Sequence, residues 1–345
     1  MAGSGPRPVR WGILGVGRIA GDFADALRVL PDAELVAVGS RSPERAEEFG
    51  RRFGVPRRHG GYRRLAEDPG VDVVYVATRH PWHCPATLLC LSSGKHVLCE
   101  KPFAMDAGQA ARMVATAREH GLFLMEAMWT RFTPAMAGVR SLLADGAIGE
   151  PRYLGADLGW HWAVDPASRL FDPRLGGGAL LDLGVYPVSL ASMVFGPPAT
   201  VTAASTSAST GVDAQTAVLL GHDGGGLAVL SCSLRADTPL NATVAGSEGR
   251  VEIPFWINPT GFTVHARDAE PRRQDFTNAG NGMEHEAAEV IRCLRAGELE
   301  SPTLPLDETV AVMRTLDRVR TRIGLRYPEE ASGSSEPADP PPAPT

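Results

Sequence analysis

Residues 10–27 read RWGILGVGRIAGDFADAL, and this stretch decides the fold. The run RWGIL at 10–14 is apolar and short enough for one strand. GVG follows at once, and a stretch of helical length follows that. Strand, glycine turn and helix in this order open a βαβ unit. Gly15, Gly17 and Ala20 form a GxGxxA pattern at the turn. Glycine lets the backbone bend tightly and approach a pyrophosphate, whose charge then rests at the helix N-terminus. The pattern alone is weak evidence; its place between strand and helix supplies the meaning. The turn Gly15, Val16, Gly17, Arg18 and Ile19 is therefore expected to hold a dinucleotide.

Outward from this turn, strand and helix keep alternating. ELVAVGS (34–40) reads as a strand, and PERAEEFGRRFG as a helix with proline at its start. VDVVYVAT (71–78) is β-branched and uninterrupted, as in a strand buried on both faces. A helical stretch at 83–93 precedes the strand HVLCE (96–100). DAGQAARMVATAREHG (106–121) is a helix with an acidic cap and a closing glycine, followed by the strand LFLMEAM (122–128). This alternation predicts a parallel, doubly wound sheet.

The pattern changes near residue 130. One helix is expected at about 134–145. Between 151 and about 276 the segments PRYLGADL, ATVTAAST, AQTAVLLG, GLAVLSCSL, NATVAGS and RVEIP alternate with turn residues. They predict a largely antiparallel sheet. The helical block GALLDLGVYPVSLASMVFG (178–196) interrupts it, and helices at about 283–295 and 307–323 close the chain. The expected fold class is α/β. It comprises a Rossmann domain over 8–129, an α/β domain with an open, largely antiparallel sheet over 130–327, and a disordered, Pro- and Ser-rich tail over 328–345.

Composition narrows the function. Of 345 residues, 43% are hydrophobic and 21% charged, and the net charge is -6, which suits a globular protein with a full core. With no Lys/Arg run, neither a nucleic acid nor an anionic membrane is an expected partner. No apolar run reads as long enough to span a bilayer, and the start MAGSGPRPVRWGILG lacks a leader pattern. The expected location is cytoplasmic. Five cysteines, odd in number and without a CxxC pair, read as reduced thiols.

The end of the second strand bears on the cofactor. NAD sites usually place Asp or Glu there for the ribose 2′-hydroxyl. This chain has Gly39-Ser40-Arg41. A hydroxyl and a guanidinium suit a 2′-phosphate, so NADP is expected over NAD, with NAD still possible. The competing reading of Arg41 is a solvated surface charge.

Two clusters fall where such a fold does chemistry. Glu100-Lys101-Pro102 directly follows a strand, and ligands bind beyond the carboxyl ends of strands. Asp182 and Tyr186 are four apart in the helical block and share a face, behind Gly176, Gly177 and Gly178. Taken singly, Lys101 also reads as a surface lysine and Tyr186 as a core tyrosine. His80 and His83 are three apart, but no third ligand has convincing spacing, and no metal is expected. Trp160, His161 and Trp162 fit a sugar pocket or plain packing equally well.

Five motifs occur in order: GVGRIA, VATRHPWH, GKHVLCEKP, EAMWTRFTP and GGGALLDLGVYP. Together they resemble the glucose–fructose oxidoreductase / inositol dehydrogenase / MocA family. SPTLPLDETVAVMRTLDRVR fits as well, so the resemblance covers all but the tail. It implies a hydride transfer between a nicotinamide and a small polyol, sugar or diol. It also implies a homodimer or homotetramer, often formed through the outer face of the second sheet. Lys101 matches the EKP lysine near the nicotinamide ribose and the substrate hydroxyl. Asp182 matches a substrate-site aspartate. Tyr186 stands where many inositol dehydrogenase-like members have histidine. Tyrosine there resembles the glucose–fructose oxidoreductase, dihydrodiol dehydrogenase and NADP-dependent xylose dehydrogenase branches. The resemblance sets Ala77, Thr78, His80, His83, Glu100, Trp129 and Arg131 beside the cofactor. Arg79 departs from the family, where an uncharged residue is common.

The expected chemistry makes Tyr186 the general acid/base, Lys101 its electrostatic partner and Asp182 a positioning group; proton transfer by Lys101 is the alternative. A nearby ammonium is expected to lower the tyrosine pKa toward the working pH. Two other functions stay open: reduction of a nucleotide-linked keto-sugar, and a non-catalytic dinucleotide sensor.

Overall fold

The computed structural model describes residues 7–328. The tail expected over 328–345 lies outside the described residues apart from Pro328, as do the first six residues of the chain.

The N-terminal half builds one parallel sheet. Its strands are β1 (Val9–Leu14), β2 (Ala33–Ser40), β3 (Arg57–Gly60), β4 (Val73–Val76), β5 (His96–Glu100) and β6 (Leu124–Ala127). They lie in the order β3-β2-β1-β4-β5-β6, all parallel. Helices α1 (Arg18–Arg28), α2 (Pro43–Phe53), α3 (Tyr62–Ala66), α4 (His83–Ser92) and α5 (Ala107–His120) connect them. The caps follow the sequence. Asp106 accepts from Gln109 N at 2.8 Å to start α5, and Gly121 ends it at φ 62°. On the sheet, Trp11, Ile13 and Leu14 are fully buried, and Phe23 of α1 stacks on Tyr75 at 3.8 Å between centroids. The strand β3, sequence RRHG, was not foreseen. It is an edge strand with no fully buried residue, so no apolar alternation marks it. The order reverses between β1 and β4, which opens a crevice at the carboxyl ends of these strands.

The helix α6 (Pro134–Ala144) leads into a second sheet. Its strands are β7 (Pro151–Gly159), β8 (Thr200–Ser207), β9 (Asp213–Gly221), β10 (Leu227–Ser233), β11 (Ala242–Gly246), β12 (Gly249–Ile253), β13 (Gly261–Ala266) and β14 (Arg272–Asp275). The order is β14-β13-β12-β11-β7-β10-β9-β8, and only the β7–β10 pair is parallel. Its inner face carries Val218, Leu220, Ala228 and Leu230, all buried. The helix α7 (Val185–Phe195) packs on β7 and β10.

The chain then returns. Helix α8 (Glu284–Ala296) packs on α1, and α9 (Leu306–Ile323) packs on α5, α7 and β8. Arg320 Nη1 donates to Met105 O at 2.9 Å, and Leu124 N donates to Leu299 O at 3.1 Å. The boundary expected near residue 130 is therefore crossed by the last two helices, which clamp the two sheets together.

The stretch Pro173–Phe195 corrects one expectation. With a mean hydropathy of 1.5 over its apolar window, it is long and apolar enough to cross a membrane by length and composition. Within this fold 78% of that window is buried, because it forms the central helix between the second sheet and α9. All five cysteines are buried and unpaired.

Candidate active site

The glycine turn forms where β1 meets β4. Gly15 has φ +105°, and a Cβ there would lie 2.5 Å from Ala77 O, so only glycine lets the two loops touch. Gly17 caps α1 without any side-chain hydrogen bond, and no acidic residue stands in the first turn. A Cβ on Gly17 would meet nothing within 4 Å. Free amides and open space at a helix N-terminus fit a pyrophosphate. Thr78 Oγ1 nearby is buried without a hydrogen-bond partner, as a polar ligand would require. Val16 and Ile19 are half-buried around the turn, and Arg18 is exposed. At the end of β2, buried Ser40 accepts from Ser42 N at 3.2 Å. Arg41 lies 5.6 Å from the centroid of the Trp82 ring and also bonds Tyr62. These residues fit a dinucleotide whose adenosine end meets a guanidinium.

The lysine comes from the end of β5. Glu100 is buried and accepts from the Tyr75 hydroxyl and from Lys101 N at 3.0 Å. The following Lys101–Pro102 peptide is cis. His83 faces two carbonyls, Pro102 O at 2.7 Å and Thr78 O at 3.1 Å. Burial lowers its pKa to about 4, so at neutral pH the ring carries one N–H and donates to one carbonyl at a time. His83 thus ties the β4 loop to the lysine turn.

The opposing wall comes from the glycine run. The His80 ring donates through Nδ1 to Gly176 O at 2.9 Å. Tyr327 donates to Gly177 O at 2.8 Å. Asp213 of β9 accepts from Leu180 N at 2.8 Å and from Thr216 Oγ1 at 2.7 Å. This carboxylate holds the start of one π-helical turn, Leu180–Gly184, which runs into α7. The turn is wider than the α-helical one that the spacing of Asp182 and Tyr186 predicts; both residues nevertheless face Lys101.

Lys101 Nζ donates to Asp182 O at 2.8 Å and Asp182 Oδ1 at 3.2 Å, and lies 4.9 Å from the Tyr186 ring centroid. Arg169 Nη1 donates to Asp182 Oδ1 at 3.1 Å. His80 Nε2 is 3.7 Å from the same oxygen. Trp129 Nε1 donates to the Tyr186 hydroxyl at 3.1 Å.

Burial opposes the charge on Asp182, yet Lys101 and Arg169 hold it well below the usual carboxylate range. Burial likewise opposes the Lys101 ammonium, and Asp182, Tyr186 and Glu100 outweigh it and raise the pKa. The pair is therefore ionised. His80 is lowered to about 3 by burial, which wins over Asp182, and is neutral. Tyr186 corrects the sequence expectation: burial pushes it up to about 12, and Lys101 only partly offsets this. At neutral pH it is a phenol.

Lys101, Asp182, Tyr186, Trp129 and His80 are thus brought together. Three residues expected beside the cofactor have side chains that bond protein partners. The Glu100 carboxylate turns into the core onto Tyr75. Both His83 nitrogens face backbone carbonyls. Arg131 is buried and bonds Glu308 at 3.0 Å and Ser189 O at 2.9 Å, so it joins α7 to α9. A buried guanidinium needs such partners, and the closing helix supplies them. Sequence reasoning missed Arg169 and Asp213; both lie in segments without a motif, and only the fold brings them to Asp182 and Leu180. Among the described residues, no group of three or more His, Cys, Asp or Glu is arranged to hold a metal ion.

A Rossmann sheet, a second open sheet and a Lys–Asp–Tyr cluster between them define a class of nicotinamide-dependent oxidoreductases. The chain belongs to the GFO/IDH/MocA oxidoreductase family: the NAD-binding Rossmann fold of that family matches residues 9–128, and its C-terminal domain matches 136–252. The trans-1,2-dihydrobenzene-1,2-diol dehydrogenase of Mus musculus is 42% identical over 332 residues, covering 93% of this chain and 99% of that protein. The Homo sapiens protein of the same name is 41% identical over 334 residues, with coverage of 93% and 99%. Among solved structures, the 3-ketoreductase KijD10 of Actinomadura kijaniata, in complex with NADP and TDP-benzene, is similar with a TM-score of 0.81. It is 30% identical, over 92% of this chain and 98% of that one. The aldose–aldose oxidoreductase of Caulobacter crescentus, complexed with glycerol, has a TM-score of 0.83 at 25% identity, over 92% and 97%.

Proposed function

We propose that this enzyme is an NADP-dependent oxidoreductase acting on a secondary or anomeric alcohol of a sugar, polyol or trans-dihydrodiol. The observation that carries the reading is the contact of Lys101 with Asp182 and with the Tyr186 ring at the carboxyl end of β5. The nicotinamide supplies or accepts the hydride when bound. The chain's residues handle the proton and the substrate. Trp129 donates to the Tyr186 oxygen, which leaves the phenolic hydrogen free to point at a substrate. In the reductive direction Tyr186 gives that proton to the carbonyl oxygen. The phenolate so formed is met by the Trp129 N–H and the Lys101 ammonium. In the oxidative direction the proton returns by the same route. Lys101 anchors the substrate oxygen, and Asp182 fixes Lys101. The dihydrodiol dehydrogenases and the aldose oxidoreductase among the similar proteins support the substrate class. Ser40 and Arg41, with no carboxylate at the end of β2, support NADP.

The test is turnover of NADPH and NADP⁺, followed by absorbance, on a panel of aldoses, inositols, dihydrodiols and keto-sugars. Turnover with NADP(H) is expected. Silence across the panel, with tight NADPH binding, would overturn the reading for free sugars and diols. It would favour the second reading, reduction of a nucleotide-linked keto-sugar, which the shared fold with KijD10 supports.

A homodimer or homotetramer belongs to the same proposal. Tyr153, Leu219, Leu227 and Val229 lie side by side on the outer face of the second sheet, each at least 42% exposed. An apolar patch of this kind seeks a partner. Sedimentation of the wild type and of Leu219→Lys checks it: an oligomer in the first and a monomer in the second are expected. A cytoplasmic location is proposed too, supported by the five unpaired thiols.

A further inference from the structure

Asp182 is held by two cations, and the one outside every motif is Arg169. It lies between β7 and the glycine run. Its Nη1 donates to Asp182 Oδ1 at 3.1 Å, where Lys101 also donates at 3.2 Å. Asp182 Oδ2 takes a single long contact, from Arg169 Nη2 at 3.5 Å. A carboxylate oxygen accepts about two hydrogen bonds, so Oδ2 keeps acceptor capacity. The Arg169 side chain is 52% exposed, against 7% for Asp182 and 13% for Lys101. Arg169 therefore forms the rim of the cluster, with a planar fork of donors beside an acceptor oxygen that has spare hydrogen-bonding capacity. A donor fork next to a free acceptor is complementary to a group that both accepts and donates, which is a hydroxyl. An ether or a methylene at that place leaves one or both partners unmatched. Under the proposed function the reacting oxygen is held by Tyr186 and Lys101; Lys101 and Arg169 share the acceptor Asp182 Oδ1, so a hydroxyl met by Arg169 is placed one position along the substrate.

We propose that Arg169, together with Asp182, is a specificity-determining residue that recognises a hydroxyl vicinal to the reacting carbon. The substrates are then vicinal diols, or carbonyl compounds with an adjacent hydroxyl, a chemistry that aldoses and trans-dihydrodiols share. This deepens the reading under "Proposed function" and rests on it. Removing Arg169 leaves Lys101 to neutralise Asp182, so recognition is lost while the charged pair survives.

The experiment compares matched substrates with NADP⁺: glucose against 2-deoxyglucose, and trans-cyclohexanediol against cyclohexanol. Each is measured on the wild type, Arg169→Ala and Arg169→Lys, with NADPH affinity followed separately by fluorescence. The wild type is expected to favour the hydroxylated member of at least one pair by about 10²-fold or more. In Arg169→Ala that ratio falls by about tenfold or more, mainly through KM, with NADPH affinity unchanged. Arg169→Lys retains part of the ratio. The pair that responds tells an aldose from a carbocyclic diol. An unchanged ratio, an equal loss on both members, or a loss confined to NADPH affinity would each overturn the proposal. A wild type that binds NADPH and turns over neither member of either pair would overturn the reading beneath it, and the proposal with it.

Discussion

The Lys101 ammonium lies over the Tyr186 ring, 4.9 Å from its centroid, and the hydroxyl of that ring is instead met by Trp129 Nε1 at 3.1 Å. This arrangement explains why the tyrosine is not acidic. The ammonium donates to Asp182 O and Oδ1 and not to the phenol oxygen, and burial outweighs its pull on the phenol. Tyr186 is thereby suited to give a proton as a neutral acid, with a charge stabiliser in place for the phenolate that results.

Tyr186→Phe is expected to lower kcat by about 10²-fold or more while leaving NADPH affinity intact. With the phenol pushed up to about 12, reduction should be flat in pH between about 6 and 9, and oxidation should climb with pH. The climb should vanish in the variant. Steady-state rates in both directions check this; a variant within about threefold of the wild type would refute the role.

Lys101→Met should cost about 1–3 kcal/mol of stability, because Asp182 stays buried with Arg169 as its remaining cation. Adding Asp182→Asn removes the undercompensated charge and should restore part of that loss, with kcat low in both variants. Urea unfolding measures the coupling. Simply additive losses would mean the two residues do not act as a pair.

Arg41→Ala should reduce kcat/KM with NADP⁺ by about 10- to 100-fold, the scale of hydrogen bonds to a charged group, and leave the value with NAD⁺ nearly unchanged. Kinetics with both cofactors decide it. A wild type without preference, or an equal loss with both, would remove Arg41 from the 2′-phosphate site.

His83 contributes to the pH dependence of stability with a definite sign. Burial lowers its folded pKa from 6.5 to about 4. Between these values the unfolded chain binds a proton that the folded one refuses. Its contribution is present above about 6.5 and is lost as pH falls toward about 4. His83→Gln does not titrate, so the Tm advantage of the wild type over this variant should shrink from pH 7.5 to pH 4.5. A constant difference would show that His83 is not held neutral.

Much of the fold was legible in the sequence because local patterns and the global structure agree. Apolar strands, caps such as Asp106 and the glycine turn each state their conformation within a few residues. What escaped did so for physical reasons. The strand RRHG at 57–60 has no apolar face, since it lies at an edge. The π turn at Leu180–Gly184 depends on Asp213, a β9 residue distant in sequence. The family resemblance set Arg131 beside the cofactor, and its ion pair with Glu308 on α9 could not be read from that motif.

By itself the sequence determined that a βαβ turn opens the chain, that Lys101 leaves a strand end, and that Asp182 and Tyr186 share one helical block. Those are matters of short-range spacing and of residue type. Only the tertiary structure decided how the three meet, that Arg169 joins Asp182, and that Tyr186 stays protonated. Such properties depend on burial and on distances between segments far apart in the chain. A pKa is set by desolvation and by all nearby charges, which are known only when the chain has folded.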